Sequence, residues 1–322
     1  MEIFGRTSKG EDVHRVILSA HGLKVGLLTW GAVLQDVRFA GLPYSLTLGS
    51  DKLSDYEGPM RHHGSLIGPV VNRISNARAR LDGMVYELER NQDARIHLHS
   101  GAQAAHLQVW DIDDVSDESL QLSLALPDGM CGLPGNRHVT VRYTVLAPST
   151  LEMKAEATTD ATTLMNFANH SYWNLDGTAD YGGHRLWIDA DHYLPANADD
   201  YPTGEIADVA GTQMDFRVER EIAPRAPAFD NNFCLSTTDR PLREVLRLTG
   251  RTGASMAVAT TSPGIQIYDA KNAARPERSN YEGLAIEAQR WPDAPNNPAF
   301  PSIKFAKDQT FMQTTQWRFT KQ

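Results

Sequence analysis

A chain of 322 residues with 40 acidic and 31 basic side chains carries a net charge of -9 and a pI near 5.6. That balance argues against nucleic acid or an anionic membrane as the main partner, since either would call for a basic face, and it weighs slightly against a phosphorylated substrate. The length suits one large β domain or two smaller ones; nothing marks a linker, so a single domain over 1–322 is expected.

The opening Met1-Glu2-Ile3-Phe4-Gly5-Arg6 has no charged region followed by an apolar run, so neither a signal peptide nor a membrane span is expected and the chain reads as cytoplasmic. Short alternating runs then recur between Gly, Pro, Asn and Asp. In chain order, strands are expected over 13–18, 24–28, 32–39, 85–88, 120–126, 138–146, 150–158, 185–189, 244–249, 255–260, 264–269, 283–289 and 311–319. The run 120–126 sets Leu120, Leu122, Leu124 and Leu126 against Gln121, Ser123 and Ala125, the mark of a half-buried strand. Helical periodicity is almost absent and no internal repeat stands out. Cys131 and Cys234, far apart and outside any CxxC spacing, read as reduced thiols. The pattern is all-β, a large antiparallel β-sandwich.

Two segments carry chemistry. In Gly283-Leu284-Ala285-Ile286-Glu287-Ala288-Gln289 the strand period of two puts Leu284, Ile286 and Ala288 on one face and Ala285, Glu287 and Gln289 on the other. A carboxylate there, followed by the rigid turn 292–298, suits a preorganised general base lining a sugar-sized cleft; read alone, an exposed polar strand face is the stronger reading. Upstream, residues 165–175 set His170 among Asn166, Asn169, Asn174, Tyr172 and Trp173. Imidazole donates a proton near neutral pH, and aromatic faces with amides suit a polyol. Alone, His170 is as well read as a hydrogen-bonded core histidine; with Glu287 it forms an acid and base pair.

Other patterns carry less. His97-Leu98-His99 would put two imidazoles on one strand face, but no carboxylate or thiolate cluster completes a ligand set, and His62-His63 would point to opposite faces, so no metal is expected. No GxGxxG, P-loop or GxSxG context is present, and no cofactor is expected. Asn169-His170-Ser171 fits the glycosylation pattern, which a chain without a secretion signal does not use.

Nearly end to end, the chain resembles the aldose 1-epimerase (galactose mutarotase) family. NHSYWNL at 169–175 resembles the family's NHTYFNL-type block, EAQRWPDAPNNPAFPS at 287–302 its ETQ-x-x-PDAPN-type block, and Asn72-Arg73-Ile74 with Leu81-Asp82-Gly83 its NRI and LDG segment. Weaker matches are Leu98-His99-Ser100-Gly101 for LHGG, residues 211–217 for GTPFDFR, Asp230-Asn231-Asn232-Phe233 for DHNF and Pro263-Gly264-Ile265-Gln266-Ile267-Tyr268 for PGVQVY. The chain departs from the family at Pro69, where an arginine often stands, and in its LHSG and DNNF variants.

The resemblance implies a galactose mutarotase-like supersandwich with its site on a concave sheet face. It implies a small-molecule aldose as partner, handled without metal or cofactor by a chain that is a monomer or homodimer. Glu287 would be the base for the O1 hydroxyl and His170, as imidazolium, the acid for the ring oxygen. Arg73, Asn72, His99, Asp230 and Gln266 would contact the sugar, Arg73 through its fork of N–H groups; Gln266 and Tyr268 also read as plain polar lining, Arg73 as a surface ion pair and Asp230 as a turn former. The expected activity is mutarotation of a free aldose, with a sugar-phosphate mutarotase or a noncatalytic sugar-binding protein as alternatives. A glycoside hydrolase would need two facing carboxylates, and only Asp230 could be the second.

Overall fold

A computed structural model describes residues 1–321. The alternation seen in the sequence becomes two-faced strands. In Phe311–Lys321, residues Phe311, Gln313, Thr315, Trp317 and Phe319 are buried while Met312 and Arg318 face water. In Ala254–Thr260, residues Ala254, Met256, Val258 and Thr260 turn inward. Each large apolar side chain so buried contributes about 1.5–3 kcal/mol, which fixes the register, because a slip of one residue would expose the whole set.

These strands belong to a nine-stranded antiparallel sheet. Its order is Asp111–Val115, Ser119–Leu126, Arg137–Leu146, Thr150–Thr159, Phe311–Lys321, Ala254–Thr260, Arg243–Thr249, Arg185–Ile188 and Arg220–Glu221. A four-stranded meander, Glu2–Arg6, Asp12–Ala20, Leu23–Leu28 and Leu34–Phe39, packs Val16, Leu18, Val25 and Leu27 against Leu120, Leu122, Val139 and Val141 in one hydrophobic cluster. A six-stranded sheet follows the order Tyr172–Trp173, Leu284–Gln289, Gly264–Tyr268, Asp230–Cys234, His192–Tyr193 and Ala207–Asp208. It lies on the same core: Trp173 stacks obliquely on Trp317 and Phe319 with ring centroids 5.9 and 5.7 Å apart. The fold is a large antiparallel β-sandwich.

All six residues of Leu284–Gln289 are buried. Leu284 and Ile286 enter the core, whereas the face bearing Ala285, Glu287 and Gln289 is roofed by loops. A sheet face that carries carboxylate and amide side chains and is nevertheless largely buried is where the site lies.

Each expected strand is present, with ends shifted by a few residues. Glu2–Arg6, Asp111–Val115 and Asp230–Cys234 were outside the expected set. The first two are edge strands with mostly exposed, polar residues, and the third begins with Asp-Asn-Asn, a turn-forming sequence overridden by pairing of Asp230 with Tyr268. Cys131 and Cys234 are both buried free thiols. Among the described residues no helix is long and apolar enough to cross a membrane.

Candidate active site

Three neighbouring strands place a row of polar side chains on the roofed face. The register sets Gln266 opposite Asn232 on one side and Glu287 on the other, and Tyr268 opposite Asp230 and Ala285. Residues directly opposite share a face, so Glu287, Gln266, Tyr268 and Asp230 rise together while Ile265, Ile267 and Ile286 enter the core. Asp230 stands two strand spacings across and two residues along from Glu287, roughly 12 Å by the usual spacings.

His170 reaches this row from a junction between two short strands. Ala168–Asn169 pairs with Leu66–Ile67, and Tyr172–Trp173 pairs with the strand of Glu287. The His170 N–H donates to Ser65 O at 2.9 Å and its carbonyl accepts from the Gly64 N–H at 3.0 Å. So held, its Nε2 lies 3.5 Å from Glu287 Oε1, with the side chains 4% and 2% exposed. Burial pushes His170 down to about 4 and lifts Glu287 well above the ordinary carboxylate range, the latter helped by Asp230 and opposed by Arg73. A standing imidazolium, expected from the sequence, is thus disfavoured at rest. Burial thus favours the uncharged form of each member of the pair.

Arg73 and His99 come from a second pairing, Arg73–Ile74 with His97–Leu98. Arg73 is no surface ion pair: its side chain is 11% exposed, and it donates from Nε to Gln92 at 3.0 Å and from Nη1 to the Asp200 carbonyl at 3.0 Å and Asp230 Oδ2 at 3.3 Å. The Asn72 N–H donates to His99 Nδ1 at 3.1 Å, which leaves the proton of His99 on Nε2 as a donor. Asn72 and His99 both adopt left-handed backbone, φ 66° and 51°, which ends the short strand and turns His99 away from His97. His97 instead approaches Glu89 O at 2.8 Å, so the two imidazoles do not share a site.

These groups surround a cavity of about 200 Å³ lined by His170, Glu287, Asn72, Arg73, His99 and Asp230, with His62, Gln92, Leu98, Tyr172, Tyr268, Asn272 and Ala273 completing the wall. At about 30 Å³ per water in the liquid, it has the room of some six or seven waters, the scale of one sugar ring. Gln266 is not on the wall. It lies beneath, donating Nε2–H to Asp230 Oδ1 at 2.9 Å.

His62 and His63 lie in a turn at residues 61–64 rather than on a strand. His62 joins the wall, its ring centroid 4.7 Å from His99 and 5.8 Å from His170, while His63 stacks on Tyr172 at 4.2 Å. Burial, with neighbouring imidazoles reinforcing it, holds His62 and His99 well below the ordinary histidine range. Both therefore stay neutral, and His99 accepts the Asn72 N–H. Among the described residues no group of three or more His, Cys, Asp or Glu is arranged to hold a metal ion.

His62, Gln92, Asn272 and Ala273 escaped the sequence reading because loops bring them in; the only hint was the adjacent His62-His63 pair. Comparison with known proteins bears on what such a cavity does. A sequence model of the family described as aldose 1-epimerase matches residues 14–318. Galactose mutarotase of Rattus norvegicus is 32% identical over 336 residues, covering 99% of this chain and 97% of the relative. Aldose 1-epimerase of Escherichia coli K12 is 31% identical over 300 residues, covering 87% and 86%. The crystal structure of an aldose epimerase homologue from C. elegans superposes with a TM-score of 0.88 at 27% identity, covering 96% of this chain and 99% of that one.

Proposed function

Because this chain belongs to the aldose 1-epimerase family, we propose that it interconverts the α and β anomers of a free aldose by acid- and base-assisted ring opening and closure. The reading is carried by the 3.5 Å pairing of His170 Nε2 with Glu287 Oε1 on the wall of a sugar-sized cavity that also presents Asp230 and Arg73.

Ring opening removes the O1 proton and delivers a proton to the ring oxygen. Glu287 takes the first and His170 supplies the second, so the reaction starts from carboxylate and imidazolium and leaves carboxylic acid and neutral imidazole beside the open-chain aldehyde. Rotation about C1–C2 presents the other face of the carbonyl. Closure then returns the O1 proton from Glu287 and passes the proton of the attacking hydroxyl back to His170. Proton count and charge balance at each stage.

The buried environment favours the neutral pair, the state that accompanies the aldehyde. Moving one proton across the short gap between Nε2 and Oε1 regenerates the charged pair. A carboxyl and an imidazole that can trade one proton suit a reaction that must run both ways through the same groups, each of which contributes about 10²- to 10⁴-fold as a positioned acid or base. Asp230, Arg73, His99 and Asn72 receive and donate hydrogen bonds along the rest of the sugar, with Gln266 steadying Asp230.

Polarimetry on freshly dissolved α-glucose, α-galactose, arabinose and xylose tests this. Acceleration of the drift in rotation in proportion to protein concentration is expected for at least one of them. No acceleration with any would overturn the reading.

A further inference from the structure

On the reading that the cavity holds an aldose, Asp230 receives its hydroxyls at the pole away from His170 and Glu287. Protein groups already hold both of its oxygens, Gln266 Nε2 at 2.9 Å on Oδ1 and Arg73 Nη1 at 3.3 Å on Oδ2. Behind them stands a second ion pair. Lys271 Nζ lies 3.1 Å from each carboxylate oxygen of Asp200 and 3.9 Å from Asp230 Oδ2, and the Asp200 carbonyl accepts from Arg73 Nη1 at 3.0 Å. Neither Lys271 nor Asp200 lines the cavity.

The two come from separate loops. Lys271 follows the strand Gly264–Tyr268, its N–H held by Asp269 Oδ1 at 3.1 Å. Asp200, at φ 60°, tips a loop closed by the Asn197 N–H to the Tyr201 carbonyl at 3.0 Å and tied outward by Arg95 to Asp199 at 2.6 Å. Two cations and two carboxylates thus alternate in a closed quartet, Arg73, Asp230, Lys271 and Asp200, whose inner half faces the sugar. We infer that Lys271 and Asp200 are positioning residues that hold Asp230 and Arg73 in register with the substrate.

The electrostatics give the two opposite signatures. Burial lifts Asp230 above the ordinary range; Arg73 opposes this, Asp200 adds to it, and Lys271 and the Gln266 hydrogen bond oppose it. The other groups facing Asp230 are Glu287 and the phenols of Tyr268 and Tyr172. Removing Lys271 takes away a cation and raises the pH at which Asp230 ionises. Removing the charge of Asp200 takes away an anion and lowers it. A purely structural role gives no reason for these opposite signs.

The experiment measures binding of 1,5-anhydroglucitol and 1,5-anhydrogalactitol, pyranoses that lack O1 and cannot open, by calorimetry from pH 5 to 8, beside kinetics on the reducing sugars. Lys271→Met should weaken binding about tenfold, the scale of one charge-assisted hydrogen bond, with the loss falling on KM rather than kcat, and Lys271→Arg should restore most of it. The pH midpoint of binding should move up in Lys271→Met and down in Asp200→Asn. Unchanged midpoints, or midpoints that move together, overturn the inference while leaving the aldose reading intact. Failure of the wild-type protein to bind either anhydrohexitol overturns the aldose reading and the inference with it.

Discussion

His170 Nε2 and Glu287 Oε1 lie 3.5 Å apart, on side chains almost wholly removed from water. At that distance the two titrate as one unit and their effects on catalysis cannot be independent.

Glu287→Gln and His170→Asn each remove a proton-transfer group at nearly constant volume. Each is expected to lower kcat by about 10²- to 10⁴-fold, with the circular dichroism spectrum unchanged. The double variant should be little worse than the more damaged single one, since either change disables the shared proton. Wild-type kcat in either single variant, or strict multiplication of the two losses, would break the pairing.

The pH dependence of kcat follows from the same unit. It works while it holds one proton in total. Burial pushes His170 down to about 4, so a second proton is accepted only at low pH; burial raises Glu287, so the last proton leaves only well above the ordinary carboxylate range. A broad plateau spanning neutrality is expected, with the acidic limb belonging to the pair rather than to the carboxyl alone. A limb centred near the free imidazole value of about 6.5, with chemistry shown to limit the rate, would show that the two groups titrate separately.

How much of this was legible in the sequence depended on whether an element was set by its own period. Ser119–Leu126 and Phe311–Lys321 announce themselves because alternate apolar side chains need one buried face. Glu287 and His170 stood out as polar residues in apolar or aromatic company, and the pairing of Tyr172–Trp173, just after His170, with the strand of Glu287 brings them together. His62 and Asp200 did not stand out. Each lies in a turn or loop, where no periodicity says which way a side chain points, and Asp200 gains its meaning from Lys271 and Arg73, partners distant in sequence. Asp230 was half legible: its neighbours suggested a turn, and only cross-strand pairing makes it part of a sheet.

Arg73 serves Gln92, the Asp200 carbonyl and Asp230 at once through a rigid fork. An ammonium is a single point that cannot span all three. Arg73→Lys is therefore expected to lower kcat/KM for aldoses by about tenfold, equivalent to about 1.4 kcal/mol, chiefly through KM. Unchanged kinetics would show that the fork contributes nothing to substrate binding.

The last prediction concerns charge on the substrate: a neutral aldose should be turned over with higher kcat/KM than its 6-phosphate. A phosphate needs convergent cations. Arg73 is the only Lys or Arg on the cavity wall among the described residues, and it is already engaged by Asp200 and Asp230. The other arginines near the site in sequence are spent elsewhere. Arg78 pairs with Glu87 at 2.6 Å, Arg275 with Glu282 at 2.5 Å and Arg290 with Asp239, while Arg80 and Arg278 are off the cavity wall. The net charge of -9 adds little, since charges beyond about 8 Å are screened at physiological salt. Glucose against glucose 6-phosphate and galactose against galactose 6-phosphate decide the matter. A tenfold or greater preference for either phosphate, about 1.4 kcal/mol of transition-state binding, would mean that Arg73 leaves its carboxylates to meet the phosphate and that the quartet opens on binding.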